Sequence, residues 1–185
     1  MIVDLKTLLK KDLKHAVIVI PTDTVYGLAT PIDYDVGIER IYQIKSRESQ
    51  KPLPVLCANL DQVKTLVKDF DSIEILAKRY WPGALTLITD KQDGVSNKVT
   101  SGLPQVGIRI PNHPEILKIL EVVGPMAVTS LNVSNEPPVL KFDATRDYES
   151  FVDYILKGPD LDNPSSTVYD VKNKKILRQG AVNII

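Results

Sequence analysis

The stretch Ala16-Val-Ile-Val-Ile-Pro-Thr-Asp-Thr-Val-Tyr-Gly-Leu-Ala-Thr30 begins as five apolar residues and stops at Pro21. A short apolar run rich in β-branched residues and closed by proline reads as a buried strand. The residues after the proline are unusual for a plain turn. Thr22, Asp23, Thr24 and Tyr26 crowd the end of the strand, with Gly27 behind them. Hydroxyls and a carboxylate at such a point are either turn chemistry or the rim of a ligand site.

Outward from this strand the pattern alternates. Ile2, Leu5, Leu8, Leu9 and Leu13 recur at helical spacing and predict a first amphipathic helix. Asp33–Ile44 predicts a second, with Val36, Ile38, Ile41, Tyr42 and Ile44 as its apolar positions. Leu53–Cys57 is a short strand, and Asp61–Val67 and Ser72–Tyr80 are helices opened by capping residues. Ala84–Thr89, Val106–Ile110 and Met126–Ser130 predict three strands, with a helix from His113 to Val122 before the last. A Pro-rich loop after Asn135 leads to a helix over Ala144–Leu156, and Ser166–Val171 and Lys175–Gln179 form two closing strands. Interleaved strands and helices of this kind give an α/β fold, one domain over 1–185 with a twisted mixed sheet flanked by helices.

Composition narrows the function. The chain has 185 residues, with 23 basic and 23 acidic side chains, so no overall basic field draws it to nucleic acid or a membrane surface. Cys57 is the one cysteine and cannot form an internal disulfide, which fits a reducing cytoplasm. Lys and Asp recur through the first seventeen residues, so an uninterrupted signal-peptide core is not expected there, and no stretch reaches membrane-span length.

Three segments carry candidate chemistry. Lys45-Ser-Arg-Glu-Ser-Gln-Lys51 places Lys45, Arg47 and Lys51 at a helix-to-strand junction. They read as an anion clamp or, equally simply, as cations suited to the dipole at a helix end. Val128-Thr-Ser-Leu-Asn-Val-Ser-Asn135 ends an apolar strand in Thr129, Ser130, Asn132 and Ser134, side chains able to donate to carboxylate or phosphate oxygens or to build an ordinary turn. Arg109 lies inside the apolar strand Val106–Ile110, as an edge residue reaching water or as a buried cation awaiting an anion. Pro21–Tyr26 is echoed by Pro164–Tyr169 as Pro-x-x-Thr-Val-Tyr, which is chance or two contributions of hydroxyls to one pocket. The loop Asp90–Gly102 suits a lid or an idle surface turn.

Several chemistries are excluded. No Walker A or Gly-x-Gly-x-x-Gly pattern occurs, so a nucleotide must bind without either. His15 and His113 have no partners at metal spacing, no Gly-x-Ser-x-Gly marks a nucleophile, and His113 before Pro114 reads as a helix start. Trp81 reads as a core anchor, and the aromatics do not cluster with Arg as a base-stacking platform would.

Eight segments, taken together and in order, resemble the YrdC-like family, whose best-known members are L-threonylcarbamoyladenylate synthases. They are Pro21–Thr30, Ile41–Arg47, Lys51–Cys57, Arg79–Ile88, Val106–Pro114, Val128–Pro138, Pro164–Val171 and Ile176–Ala181. The resemblance covers Ala16 to Ala181, and the length is similar to the short, single-domain form. It implies the YrdC-like fold, with a ligand cleft at strand ends. It also implies a nucleotidyltransferase reaction in which L-threonine, bicarbonate or CO2, and ATP yield threonylcarbamoyl-AMP and pyrophosphate. The product serves threonylcarbamoyl-adenosine 37 of tRNA through downstream transfer proteins. Mg2+ is implied with ATP, without nameable ligands.

Residue by residue, the resemblance implies that Thr24, Arg109, Ser130 and Ser166 contact L-threonine, with Arg109 on the carboxylate and Tyr26 and Gly27 shaping the wall. It implies that Lys45, Arg47, Lys51, Asn132 and Arg178 face ATP, with Lys45 and Arg47 on the triphosphate. Lys45, Arg47, Ser130 and Asn132 are thereby the residues implied for catalysis. Leu56 stands where archaeal relatives carry a threonine-contacting His, Gln105 where many relatives have Thr, and Leu131 where Ala is usual, which bears on selectivity among amino acids. YciO-like paralogues alter Lys-x-Arg and Ser-x-Asn, and both motifs are intact here. The rival expectation is a double-stranded RNA-, tRNA- or ribosome-binding module of the same fold, which requires basic side chains gathered on one surface.

Overall fold

The computed structural model describes residues 1–46, 51–134 and 136–184. Its first element is a strand, β1 (Ile2–Val3), and not the start of a helix. Asp4 separates the two: its carboxylate accepts from Thr7 N at 2.8 Å and caps the short α1 (Leu5–Leu8). The expected first helix is therefore cut, because Ile2 and Val3 are drawn into the sheet. β2 (Ile18–Ile20) then pairs antiparallel with β3 (Gly27–Pro31), Ile20 opposite Gly27, so Pro21–Tyr26 is the loop between them. β3 was not expected, since Gly-Leu-Ala-Thr-Pro carries little β-propensity of its own and is held by neighbours on both sides.

The next elements match expectation: α2 (Asp35–Ile44), β4 (Val55–Leu56), α3 (Leu60–Lys64), α4 (Asp71–Tyr80) and β5 (Leu85–Asp90). α5 (Asn97–Thr100) interrupts the Asp90–Gly102 loop. Val95 and Val99 bury its stretch in the core, and Leu53 N donates to Val99 O at 2.9 Å. β6 (Gln105–Arg109), α6 (Pro114–Val123) and β7 (Met126–Ser130) come next, with His113 in extended conformation before Pro114 at the start of α6.

The region expected as a helix over Ala144–Leu156 is a correction. It divides into a 3-10 helix, Asp143–Tyr148, and a strand, β8 (Tyr154–Leu156). Tyr-Ile-Leu is too short to declare its own period, and it inserts in parallel between β1 and β2. Asp153 locks the entry. Its backbone N donates to Val17 O at 2.9 Å, and its carboxylate accepts from Val17 N at 2.7 Å and Arg40 at 2.8 Å. β9 (Thr167–Asp170) and the edge strand β10 (Lys175–Arg178) close the chain.

The ten strands of the described residues form one mixed sheet, in the order β1-β8-β2-β3-β7-β4-β6-β5-β9-β10. Alternation sends neighbouring residues to opposite faces. Val17, Val19, Leu28, Val55, Leu85, Leu87, Ile108 and Ala127 pack under α2, α3, α4 and α5. Ile18, Ile20, Ala29, Leu56, Met126 and Val128 pack under α1 and α6. The second layer stops at β4 and β7: no described residue of β5, β6 or β9 belongs to it. Trp81 is the corner anchor expected, with Nε1 donating to Leu85 O at 2.7 Å.

Cys57 is fully buried in the first layer, and burial pushes its thiol up to about 12. Iodoacetamide at pH 8 is therefore expected to leave native Cys57 unmodified and to alkylate it once urea unfolds the chain. Rapid native labelling, read by mass, overturns this placement. Among the described residues no helix is long and apolar enough to cross a membrane.

Candidate functional site

Where the α1–α6 layer ends, the uncovered face of the sheet forms a cleft of about 320 Å³, a volume suited to a small ligand. Its floor is read from alternate residues: Thr86 and Ile88 on β5, Gly107 and Arg109 on β6, Val128 and Ser130 on β7, and Ser166 and Val168 at β9. Leu56 and Pro54 complete it. The apolar floor crosses the sheet face, while the polar side chains gather at strand ends. Gly27 keeps one wall open, because a Cβ there would meet Val128 Cγ1 at 2.8 Å.

The loop after Pro21 resolves into distinct tasks. Thr22 Oγ1 donates to Val25 O at 2.7 Å and accepts from Thr24 N and Val25 N at 3.1 and 3.2 Å, so it builds the turn. The Thr22 and Thr24 hydroxyls lie 3.0 Å apart. Thr24 Oγ1 in turn accepts from Arg109 NH1 at 3.2 Å. The Asp23 carboxylate accepts from Arg109 NH2, and Arg109 Nε donates to Gly83 O at 2.9 Å.

Arg109 is thus a buried cation with an internal counterion, its side chain 7% exposed and that of Asp23 13%. Burial lowers its pKa, Asp23 opposes the shift, and nearby Arg178 adds to it. Three of its five N–H groups are taken by partners among the described residues, leaving one on each terminal nitrogen for a ligand.

The opposite wall comes from the second Pro-x-x-Thr-Val-Tyr. Ser165 and Ser166 line the cleft, as Thr22 and Thr24 do, so both copies bring hydroxyls to one place. Their fourth positions diverge. Thr24 faces the cleft, whereas Thr167 is fully buried and donates to Val182 O at 2.7 Å while accepting from Gly180 N and Val182 N at 3.0 and 3.1 Å. Ser166 Oγ lies 3.0 Å from Thr86 Oγ1 and accepts from Arg178 NH2 at 3.1 Å. Arg178 also donates through Nε and NH2 to Ser166 O at 3.1 and 2.9 Å, which aims the guanidinium across this wall.

The Ser-x-Asn segment is organised from behind. Lys45 is 2% exposed, and its Nζ donates to Ser130 O at 2.5 Å, Asn132 O at 2.9 Å and Asn132 Oδ1 at 2.7 Å. Ser130 Oγ donates to the same Oδ1 at 2.7 Å, and Asn132 Nδ2 donates to Glu136 O at 2.6 Å.

Of the residues named from sequence, Thr24, Arg109, Ser130, Ser166 and Arg178 line the cleft together. Lys45 and Asn132 sit behind Ser130. Lys51 is exposed beside the cleft-lining Pro52, its carbonyl accepting from Tyr42 OH at 3.1 Å. Arg47 lies outside the described residues. Sequence reasoning missed the pairing of Asp23 with Arg109, the backbone brace from Gly83, and Thr86 on the floor. Asp23 had a signal, a carboxylate beside Thr24, but nothing local tied it to a strand 86 residues away. No group of three or more His, Cys, Asp or Glu side chains able to hold a metal occurs among the described residues.

These features define a class: an α/β protein with an uncovered sheet face carrying two guanidinium groups and a ring of hydroxyls. The chain belongs to the Sua5–YciO–YrdC family. That family's profile, described as telomere recombination, matches residues 13–180. The threonylcarbamoyl-AMP synthase of Pyrococcus abyssi is 34% identical over 168 residues, which is 88% of this chain and 49% of that protein. The threonylcarbamoyl-AMP synthase of Bacillus subtilis is 40% identical over 149 residues, 78% of this chain and 43% of that protein. The chain therefore spans about half the length of these curated relatives. The crystal structure of P. abyssi Sua5 complexed with L-threonine superposes with a TM-score of 0.90 at 29% identity, over 97% of this chain and 57% of that one.

Proposed function

We propose that this chain is a nucleotidyltransferase that makes threonylcarbamoyl-AMP, pyrophosphate and water from L-threonine, bicarbonate and ATP. The observation that carries the reading is Arg109, a buried guanidinium braced by Asp23, Thr24 and Gly83 with two N–H groups left for a planar anion such as an α-carboxylate. The names of the P. abyssi and B. subtilis relatives and the L-threonine in the P. abyssi structure support it.

In this reading bicarbonate takes a proton and loses water to give CO2, and the amine nitrogen bonds to its carbon and loses a proton, giving a carbamate. A carbamate oxygen then attacks the α-phosphorus of ATP as the bond to pyrophosphate breaks. Every reactant is anionic, so the protein's work is to align them and offset their charge. Arg109 holds the carboxylate and fixes the amino acid's orientation. Ser166, aimed by Arg178, takes the amino-acid side of the opposite wall. Arg178 faces the phosphates, with Lys51 at the mouth; the role of Arg47 on the triphosphate belongs to the same proposal. No group of three or more His, Cys, Asp or Glu gathers among the described residues, so Mg2+ enters this proposal as a companion of the ATP phosphates, and no step is assigned to it. A cytoplasmic location, tRNA as final acceptor and downstream transfer proteins as partners belong to the same proposal.

The test is pyrophosphate release from ATP with bicarbonate, comparing L-threonine, L-serine and no amino acid. Threonine-dependent release is the expected result. No amino-acid dependence in folded protein at saturating ATP overturns the synthase and turns attention to salt-dependent RNA binding.

A further inference from the structure

We propose that Lys45 is a positioning residue, acting through Asn132 to make Ser130 a hydrogen-bond acceptor toward the cleft, and that this acceptor holds the α-amino group of the amino acid. The inference rests on the synthase reading.

The reason lies in which groups can donate. An ammonium has N–H groups and no lone pair to offer, so the Asn132 atom facing Lys45 Nζ at 2.7 Å is the amide oxygen. The amide nitrogen then faces Glu136 O at 2.6 Å, an acceptor, which agrees. Asn132 Oδ1 can only accept, so at 2.7 Å the Ser130 hydroxyl must donate to it. Its proton is spent inward. What Ser130 presents to the cleft is a lone pair, which repels a carboxylate or phosphate oxygen and suits an N–H.

Thr24 stands across the cleft with its hydroxyl accepting from Arg109. Arg109 offers donors, while Ser130 offers an acceptor. That is the pattern of an amino-acid zwitterion: carboxylate on the guanidinium, amine on the Ser130 oxygen. The amine is the atom that becomes the carbamate nitrogen, so its placement decides the reaction. Lys45 contributes without touching substrate. With the cation removed, only the Glu136 carbonyl still holds the Asn132 amide in this orientation, so the polarity of the Ser130 hydroxyl is less firmly set.

The experiment compares wild type with Ser130→Ala, Lys45→Met, Asn132→Ala and the double variant Lys45→Met/Ser130→Ala, measuring KM for L-threonine and for ATP. Each single variant is expected to raise the threonine KM by roughly tenfold, the scale of one lost hydrogen bond to a charged group, with the ATP KM unchanged. The double variant is expected to be no worse than Ser130→Ala alone, because the residues act in series, and Ser130→Thr is expected to restore threonine affinity. Asn132→Ala removes the relay without leaving a cation's place empty, so the test stands if Lys45→Met does not fold. The amine-free analogue (R)-3-hydroxybutanoate is expected to compete with L-threonine equally in wild type and Ser130→Ala.

A rise in the ATP KM with the threonine KM unchanged in Lys45→Met places Lys45 on the triphosphate and overturns the proposal. So do additive losses in the double variant, and so does a parallel tenfold loss for the analogue. Wild-type protein with no threonine-dependent turnover overturns the synthase reading itself, a result distinct from any of these.

Discussion

Arg109→Ala is expected to cut threonine-dependent pyrophosphate release by roughly two to three orders of magnitude, with most of the loss in the apparent affinity for L-threonine. Two effects combine. The carboxylate loses its planar fork, and Asp23 loses its counterion in a site where its side chain is 13% exposed. Removing one partner of a buried pair costs about 3–5 kcal/mol, because the remaining charge stays desolvated. Asp23 retains a little water, which places the stability cost at the lower end, about 3 kcal/mol. Arg109→Lys is expected to restore folding but not turnover, since a point charge cannot brace Gly83 O, Thr24 and Asp23 and still present two parallel donors. Asp23→Asn removes the charge and keeps the shape, so it separates orientation from charge balance. Steady-state kinetics together with thermal melts read the two contributions. A folded Arg109→Ala protein with turnover within about threefold of wild type would falsify the placement of the carboxylate.

Gly180→Ala is expected to have the second-largest effect, although residue 180 does not line the cleft. A Cβ at this position would stand 2.1 Å from Ser165 O and 2.5 and 2.6 Å from Ser166 C and O. Those are backbone atoms of the wall itself, so no side chain can swing aside. The segment after β10 has to lift from β9, and the bonds Gly180 N to Thr167 Oγ1, Ala181 N to Ser165 O and Val182 N to Thr167 Oγ1 are strained or lost. Overpacking of this kind costs about 1–3 kcal/mol, or a melting temperature lowered by roughly 2–12 °C in a chain of this size. Arg178 lies two residues earlier and is held on Ser166, so the ATP KM is expected to rise several-fold as well. A melting temperature within about 1 °C of wild type, with an unchanged ATP KM, would show that the two segments do not meet this closely.

Long elements with one strong period were legible from the residues alone. Asp35–Ile44, Asp71–Tyr80 and Pro114–Val123 are helices because apolar residues recur on one face, and Pro114 occupies the first turn where its missing N–H costs nothing. Short elements were not. Ile2–Val3 and Tyr154–Leu156 are two and three residues long; the first is a strand because the second lies beside it, and the second because it inserts between β1 and β2. A run that brief carries no period to read, and Leu5 and Leu8 lent β1 a helical spacing it does not use.

The site divides along the same line. The residue types were written in the chain: hydroxyls after Pro21 and Pro164, an arginine inside an apolar strand, Ser-x-Asn at the end of another. Both readings left open for Arg109 are settled by burial, since a side chain 7% exposed is no residue reaching for water. For Lys45 the chain could supply only a cation at the end of a helix. Its engagement with Ser130 and Asn132, 85 and 87 residues away, depends on β3 pairing with β7 and carrying that segment back over α2.

Periodicity and short motifs are properties of neighbours along the chain. For that reason the α/β class, the family and the inventory of polar groups could be read from the residues as written. Which groups face one another, which cation is braced by a carboxylate and which by carbonyls, and in which direction each hydroxyl donates were set by the folded arrangement alone. Those are matters of distance between strands far apart in sequence, and a hydrogen bond is set by distance and angle rather than by residue type.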